Sequence, residues 1–188
     1  MFSIINEDEY VVTSKQKCLN KGMNPYLIPE PKVIYAGEEL KQYQEKYKPL
    51  IDNATRYASE IIEEYKGKPI LFCISDETGI IIKLIDDNII FKSLLHQLGV
   101  KEGVLFSQEV NGTNVISLTL QEKRTIQLLG TNHYHVPLHG CACYGTAVKR
   151  KNGEVIGSIS ILTAIEMKDP HFFLWLDEIG KKLTDEIG

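Results

Sequence analysis

Between Cys141 and Leu162 the sequence writes a β-hairpin, and no other feature limits the possible folds as strongly. Residues 141–149 read as one strand, Lys151-Asn152-Gly153-Glu154 as the turn, and residues 155–162 as the returning strand. Asn-Gly suits a type I′ turn, whose twist matches that of paired strands. By the two-residue period of a strand, Cys141, Cys143, Gly145 and Ala147 share one face, and Tyr144, Thr146 and Val148 the other. The first face is built of small side chains. It leaves room above the sheet, either for a closely packed helix or for a small ligand.

Other segments supply the rest of a sheet. Ile70-Leu71-Phe72-Cys73-Ile74 is a continuous apolar run, as expected of a strand buried on both faces. Ser75–Gly79 reads as a turn and Ile80–Ile85 as its return strand, with Gly79 supplying the positive φ. Thr125–Leu129 is a further strand, and residues 130–140 form a loop holding three of the five histidines. Val115–Leu120 is ambiguous. Its β-branched content favours a strand, whereas an Asn114 or Thr113 cap favours a helix.

Helical patterns flank and interrupt these strands. From Glu38 onward, Leu40, Tyr43, Tyr47, Leu50, Ala54, Tyr57 and Ile61 recur at threes and fours. Pro49 divides the run, so a second helix starts near it. The seven-residue recurrence Leu40, Tyr47, Ala54, Ile61 fits either a coiled-coil seam or an amphipathic helix lying on its own domain. A short helix is expected over Ile90–Leu98, stopped by Gly99. Pro170 opens a last helix whose Phe172, Leu176, Ile179 and Leu183 share a face. It runs to Gly188 with no closing element, which reads as a fragment of a longer protein.

The expected organisation is an extended lead-in over 1–37, a helical segment over 38–66, a sensor-like domain over 67–168 and a C-terminal signalling helix over 169–188. The fold class is α+β, a central antiparallel sheet of about five or six strands with helices on both faces and long terminal helices.

A net charge of -4 and a pI near 5.8 argue against direct contact with nucleic acid, which needs a basic face. No apolar run is long enough to span a bilayer, and the acidic N-terminus lacks the basic start of a signal peptide. The expected location is cytoplasmic. Cys18, Cys73, Cys141 and Cys143 do not form a disulfide scaffold and are taken as reduced.

The chemistry-bearing residues gather between Asn111 and Val148. His133, His135, His139, Cys141 and Cys143 are of the types that bind zinc, iron or copper, but their spacing matches no standard metal site. His135 and His139 are four apart, yet Pro137 keeps them off a helix. There is no phosphate-binding glycine loop, no dinucleotide fingerprint and no serine elbow.

The order of elements, with Gly112-Thr113-Asn114 near a helix start, Asn132-His133-Tyr134, the strand Cys141–Val148, and Asn152-Gly153 leading to Ile156-Gly157-Ser158-Ile159, resembles a GAF domain. It is most similar to the N-terminal sensor of sigma-54-dependent activators of the acetoin and dihydroxyacetone regulator type. Lys17–Pro25 resembles that family's segment ahead of the domain. The resemblance covers roughly residues 17–165 and implies a helix over Val115–Gln121. It implies a non-catalytic sensor, joined to an AAA+ ATPase and a helix-turn-helix domain absent from this chain. Asn132, Cys141 and Ala147 stand where the family pattern has an acidic residue, a tryptophan and a proline, so the family's ligands are not carried over.

On this reading a small-molecule effector lies between sheet, helix and loop. Phe106, Asn114, His133, Tyr134, His135 and Cys143 line its pocket. The domain pairs as a homodimer through its terminal helices, and no cofactor is specified. One alternative is a redox or metal sensor using His133, His135, His139, Cys141 and Cys143. Another is a scaffold that binds nothing. Some GAF domains reduce methionine sulfoxide with paired cysteines, but Cys141 and Cys143 are poorly spaced for that.

Overall fold

A computed structural model describes residues 7–86 and 95–187. Its centre is a five-stranded antiparallel sheet in the order β3-β2-β7-β6-β5, from β2 (Ile70–Asp76), β3 (Ile81–Asp86), β5 (Ile126–Leu129), β6 (Cys141–Lys149) and β7 (Val155–Ala164). A second, two-stranded sheet pairs β1 (Lys32–Val33) with β4 (Val104–Leu105). The α+β class and the helices on both faces of the sheet are as the sequence predicts.

One face is covered by α3 (Lys48–Glu64) and by α6 (Pro170–Ile187), the last helix. Their buried stripes, Leu50, Ala54, Tyr57 and Ile61 on α3 and Phe172, Leu176, Ile179 and Leu183 on α6, meet Phe72, Ile74, Tyr144, Ile159 and Ile161. A fully buried Ile or Phe in such a layer contributes about 1.5–3 kcal/mol. Tyr47, Ala54 and Ile61 are therefore core residues, and the seven-residue recurrence is an amphipathic pattern folded onto its own domain. Pro49 sits in the first turn of α3, where its missing N–H costs nothing, and α2 (Gly37–Lys46) precedes it.

The other face carries α5 (Val115–Glu122), preceded by the short α4 (Gln108–Asn111) and flanked by α1 (Glu9–Asn20). Residues 115–122 are helical because Asn114 caps them: its Oδ1 accepts the Ser117 N–H at 2.9 Å. The β-branched content was the weaker signal.

Two expectations are corrected. The lead-in is not extended throughout, since α1 occupies Glu9–Asn20. Its inward stripe is Val11, Ser14 and Cys18, one apolar residue among polar and soft ones, so apolar periodicity does not reveal it. The β6–β7 turn is not type I′. Among its residues only Gly153 has positive φ, at 87°, and Gly153 N–H reaches the Arg150 carbonyl at 2.8 Å. This is a three-residue loop, a tight turn closed by a left-handed glycine. The β2–β3 turn keeps the expected left-handed Gly79, at φ 93°, and is held in addition by Asp76, whose Oδ1 accepts the N–H groups of Thr78 and Ile80 and the Thr78 hydroxyl. Of the helix expected over Ile90–Leu98, residues 90–94 lie outside the described residues, and 95–97 are helical.

Candidate functional site

The small face of β6 is used in two ways. Gly145 lies under α5, where an added Cβ would come within 2.5 Å of Thr119 Oγ1 and 3.0 Å of Val115 Cγ2. There a helix fills the space. Two and four residues earlier, Cys143 and Cys141 instead floor a cavity of about 50 Å³, together with Cys73 of β2 and Leu162 of β7. Val115 and Ile116 roof it, Phe106, Leu95 and Val100 close one side, and His133 and Leu138 of the 130–140 loop close another. At ~10–15 Å³ per water-sized group, this is room for about three to five such groups.

The polar atoms around this space are few. The thiols are held protonated by burial: Cys73 is pushed up to about 12 and Cys143 well above its ordinary range. Asn114 lines the cavity, but its Oδ1 caps α5 and its Nδ2 donates to the Gly112 carbonyl at 2.9 Å. Nδ2 also reaches the Ser107 carbonyl at 3.5 Å, so the amide has no N–H left to offer the cavity.

His133 differs. It is 3% exposed, and its Nδ1 lies 3.0 Å from the Gly130 carbonyl, which can only accept. The proton therefore sits on Nδ1 in the neutral ring, leaving Nε2 as a bare acceptor. Nε2 is buried without a hydrogen-bond partner among the described residues. Desolvation, against the pull of the Gly130 carbonyl, lowers the pKa of His133 to about 4, and His139, Lys15 and His135 act in the same direction. The ring is neutral at pH 7.

Of the six residues expected to line a pocket, Phe106, Asn114, His133 and Cys143 border this cavity. Tyr134 and His135 do not. The Tyr134 hydroxyl donates to the Met23 carbonyl at 2.7 Å. His135 packs toward the N-terminal segment, near Cys18 and Met23: an added Cβ on Gly112 would meet Cys18 Sγ, His135 Nε2 and Met23 Sδ at 3.1, 3.1 and 3.3 Å. The carbonyls of Asn24, Asn111 and Leu27 surround its ring, and burial still lowers its pKa. The loop splits these residues, with His133 turned to the sheet and the next two turned to the N-terminal segment around Cys18 and Met23.

Gly112-Thr113-Asn114 thus has a role beyond capping. Thr113 Oγ1 lies 2.8 Å from Ser14 Oγ and 3.6 Å from Cys18 Sγ, and Ser14 also bonds Gln108. This buried polar group latches α1 onto the domain. The spacing of Val11, Ser14 and Cys18 was the available signal, but a buried serine does not read as core.

The five residues proposed as metal ligands do not converge. Among the described residues no three His, Cys, Asp or Glu side chains are grouped as a metal site requires. His139 Nε2 donates instead to the His133 carbonyl at 3.2 Å, and Cys141 and Cys143 face the apolar cavity. No helix among the described residues is long and apolar enough to cross a membrane.

A family model described as MimR, N-terminal domain, matches residues 40–185. A signal-transduction and transcriptional-control protein of Clostridium beijerinckii is 26% identical over 87% of this chain and 26% of its own length. The acetoin dehydrogenase operon transcriptional activator AcoR of Bacillus subtilis is 24% identical over 86% of this chain and 26% of its own. The propane 2-monooxygenase operon transcriptional activator MimR of Mycolicibacterium smegmatis is 21% identical over 74% of this chain and 24% of its own. The chain thus spans about a quarter of the length of these relatives. The crystal structure of the E. coli DhaR(N)–DhaL complex contains the same fold, with a TM-score of 0.84 over 96% of this chain and 62% of that one, at 20% identity.

Proposed function

The chain belongs to the MimR N-terminal domain family, and on that premise we propose that it is the small-molecule-sensing regulatory domain of a bacterial transcriptional activator. The cavity beneath α5 carries this reading. A void in a core forfeits packing energy, and one residue bordering this one, His133, has a buried ring nitrogen with no hydrogen-bond partner among the described residues. A ligand that fills the space and meets that nitrogen recovers both losses.

The output is α6. Cys143 borders the cavity, and Tyr144, the next residue, faces the other side of the sheet and packs on Phe172 with ring centroids 5.6 Å apart. Occupancy shifts β6 and so biases the start of α6, which leads toward an AAA+ ATPase outside this chain, in a sigma-54-dependent regulator. Two copies pair through α6, where Leu174 is 66% exposed beside a groove framed by Pro170, Phe173, Leu129 and Tyr144. The domain acts as a sensor and not as a catalyst: burial holds its cavity thiols protonated, and the His133 imidazole that lines the cavity pairs through Nδ1 with a backbone carbonyl.

The relatives AcoR and MimR are named for acetoin and propane operons, and molecules of that size set the panel to test. A specific binder raises the thermal midpoint in proportion to ln(1 + [L]/Kd). If no small neutral molecule at millimolar concentration moves the midpoint, the sensor reading fails.

A further inference from the structure

Three restrictions on any occupant follow from the cavity and take the sensor reading further, on which they rest. The first is size. A volume of about 50 Å³ admits about three to five water-sized groups, far short of the ~300–1,000 Å³ of a drug-sized site. The second is charge. The floor is three cysteine side chains and Leu162, and among the described residues no ionised side chain lines the space. A carboxylate or ammonium there would have no counter-charge, and burying one unpaired is prohibitive.

The third restriction is the sense of the hydrogen bond. Asn114 Nδ2 donates to the Gly112 and Ser107 carbonyls and has no N–H to spare for an occupant. The Gly130 carbonyl holds the His133 proton on Nδ1 and leaves Nε2 as an acceptor. Nε2 has no partner among the described residues, on a side chain 3% exposed. A ketone or ether oxygen presented to it sets lone pair against lone pair; a hydroxyl donates.

We propose that the site selects a neutral aliphatic alcohol of about three to five heavy atoms, whose hydroxyl donates to His133 Nε2 while its carbons lie against Cys73, Cys141, Cys143 and Leu162. His133 is then the specificity-determining residue. It discriminates by an acceptor that rejects the oxidised, carbonyl form of the same carbon skeleton.

The test is a matched series on the whole chain by calorimetry or ligand-detected NMR, with 2-propanol and 2-butanol against acetone and butanone, and propionate and isopropylamine as charged controls. The alcohols are expected to bind about tenfold more tightly than the corresponding ketones, the discrimination one well-placed hydrogen bond provides, and the ions not at all. Cys143→Met, whose longer side chain occupies the void, abolishes binding of both, and His133→Phe erases the difference between them. Equal affinities for alcohol and ketone, or binding of either ion, overturn the proposal while leaving a sensor cavity in place. If neither alcohols nor ketones bind, the proposal and the sensor reading fall together. The series on the unaltered chain decides the matter even where a variant does not fold.

Discussion

The Tyr144 hydroxyl accepts a hydrogen bond of 3.1 Å from the backbone N–H of Asp169, one residue before α6 begins. An N-terminal N–H of this kind has no partner within the helix, so a β6 side chain fixes where α6 starts. Tyr144 follows Cys143, which floors the cavity on the opposite side of the sheet. The strand is one residue thick between ligand space and output helix.

Tyr144→Phe keeps the ring against Phe172 and removes only this bond. The expected loss is about 0.5–1.5 kcal/mol in urea denaturation. Amide exchange should quicken in the first turn of α6 and stay unchanged in α3. Uniform acceleration across both helices would show that the bond does not fix α6 locally.

Gly145→Ala places a Cβ within 2.5 Å of Thr119 Oγ1 and 3.0 Å of Val115 Cγ2. Helix α5 must move off the sheet, at a cost of about 1–3 kcal/mol. Gly140, near the start of the same strand, has nothing within 4 Å of its added Cβ, so Gly140→Ala should change stability by less than ~0.5 kcal/mol. Denaturation midpoints of the two variants make the comparison.

Acidification should destabilise the domain before its carboxylates titrate. His133 has a folded pKa of about 4, against 6.5 when unfolded, so the unfolded chain binds the extra proton in between. Stability is complete above about pH 6.5 and falls as pH drops toward 4, by about 3 kcal/mol in total. His135, also lowered by burial, adds a loss of the same sign. The depressed carboxyls of Asp177, Glu178 and Glu186 add theirs at lower pH. Urea midpoints between pH 7.5 and 4.5 should slope less steeply in His133→Asn, and an unchanged slope would place the titration elsewhere.

Thr113→Val strips the hydroxyl that Ser14 and Cys18 share. Leaving Ser14 with a poorer set of partners should weaken docking of α1 by about 1–3 kcal/mol. Limited proteolysis should then cut within residues 1–30 faster, while the sheet stays protected.

Leu174→Glu tests pairing through α6. The residue is 66% exposed, so the monomer should keep its thermal midpoint. Light scattering should show the unaltered chain as a dimer and the variant as a monomer.

The sheet was largely legible. Residues 70–74, 126–129, 141–149 and 155–162 carry their strand character in local composition, and all four lie in the central sheet. The α6 stripe was equally plain, because Phe172, Leu176, Ile179 and Leu183 are apolar at helical spacing. Helix α1 was not, since what holds it is a hydroxyl network with Gln108 and Thr113, roughly ninety-five residues away. The Asn152-Gly153 turn misled through a strong dipeptide preference, which the β6–β7 register overrode by adding a residue to the loop.

The sequence by itself determined which residues face which side of β6, because a strand's period of two needs no partner to be read. It could not determine whether the small face is packed or hollow. Gly145 and Cys143 are two residues apart on one face, yet one lies beneath Thr119 and the other at an open space. That difference depends on where α5 starts and how it lies over the sheet, which the Asn114 cap and the contacts of α1 settle together. The separation of His133 from His135 has the same origin. Consecutive loop residues carry no periodicity, so only the docked N-terminal segment decides which ring meets the cavity and which is turned away.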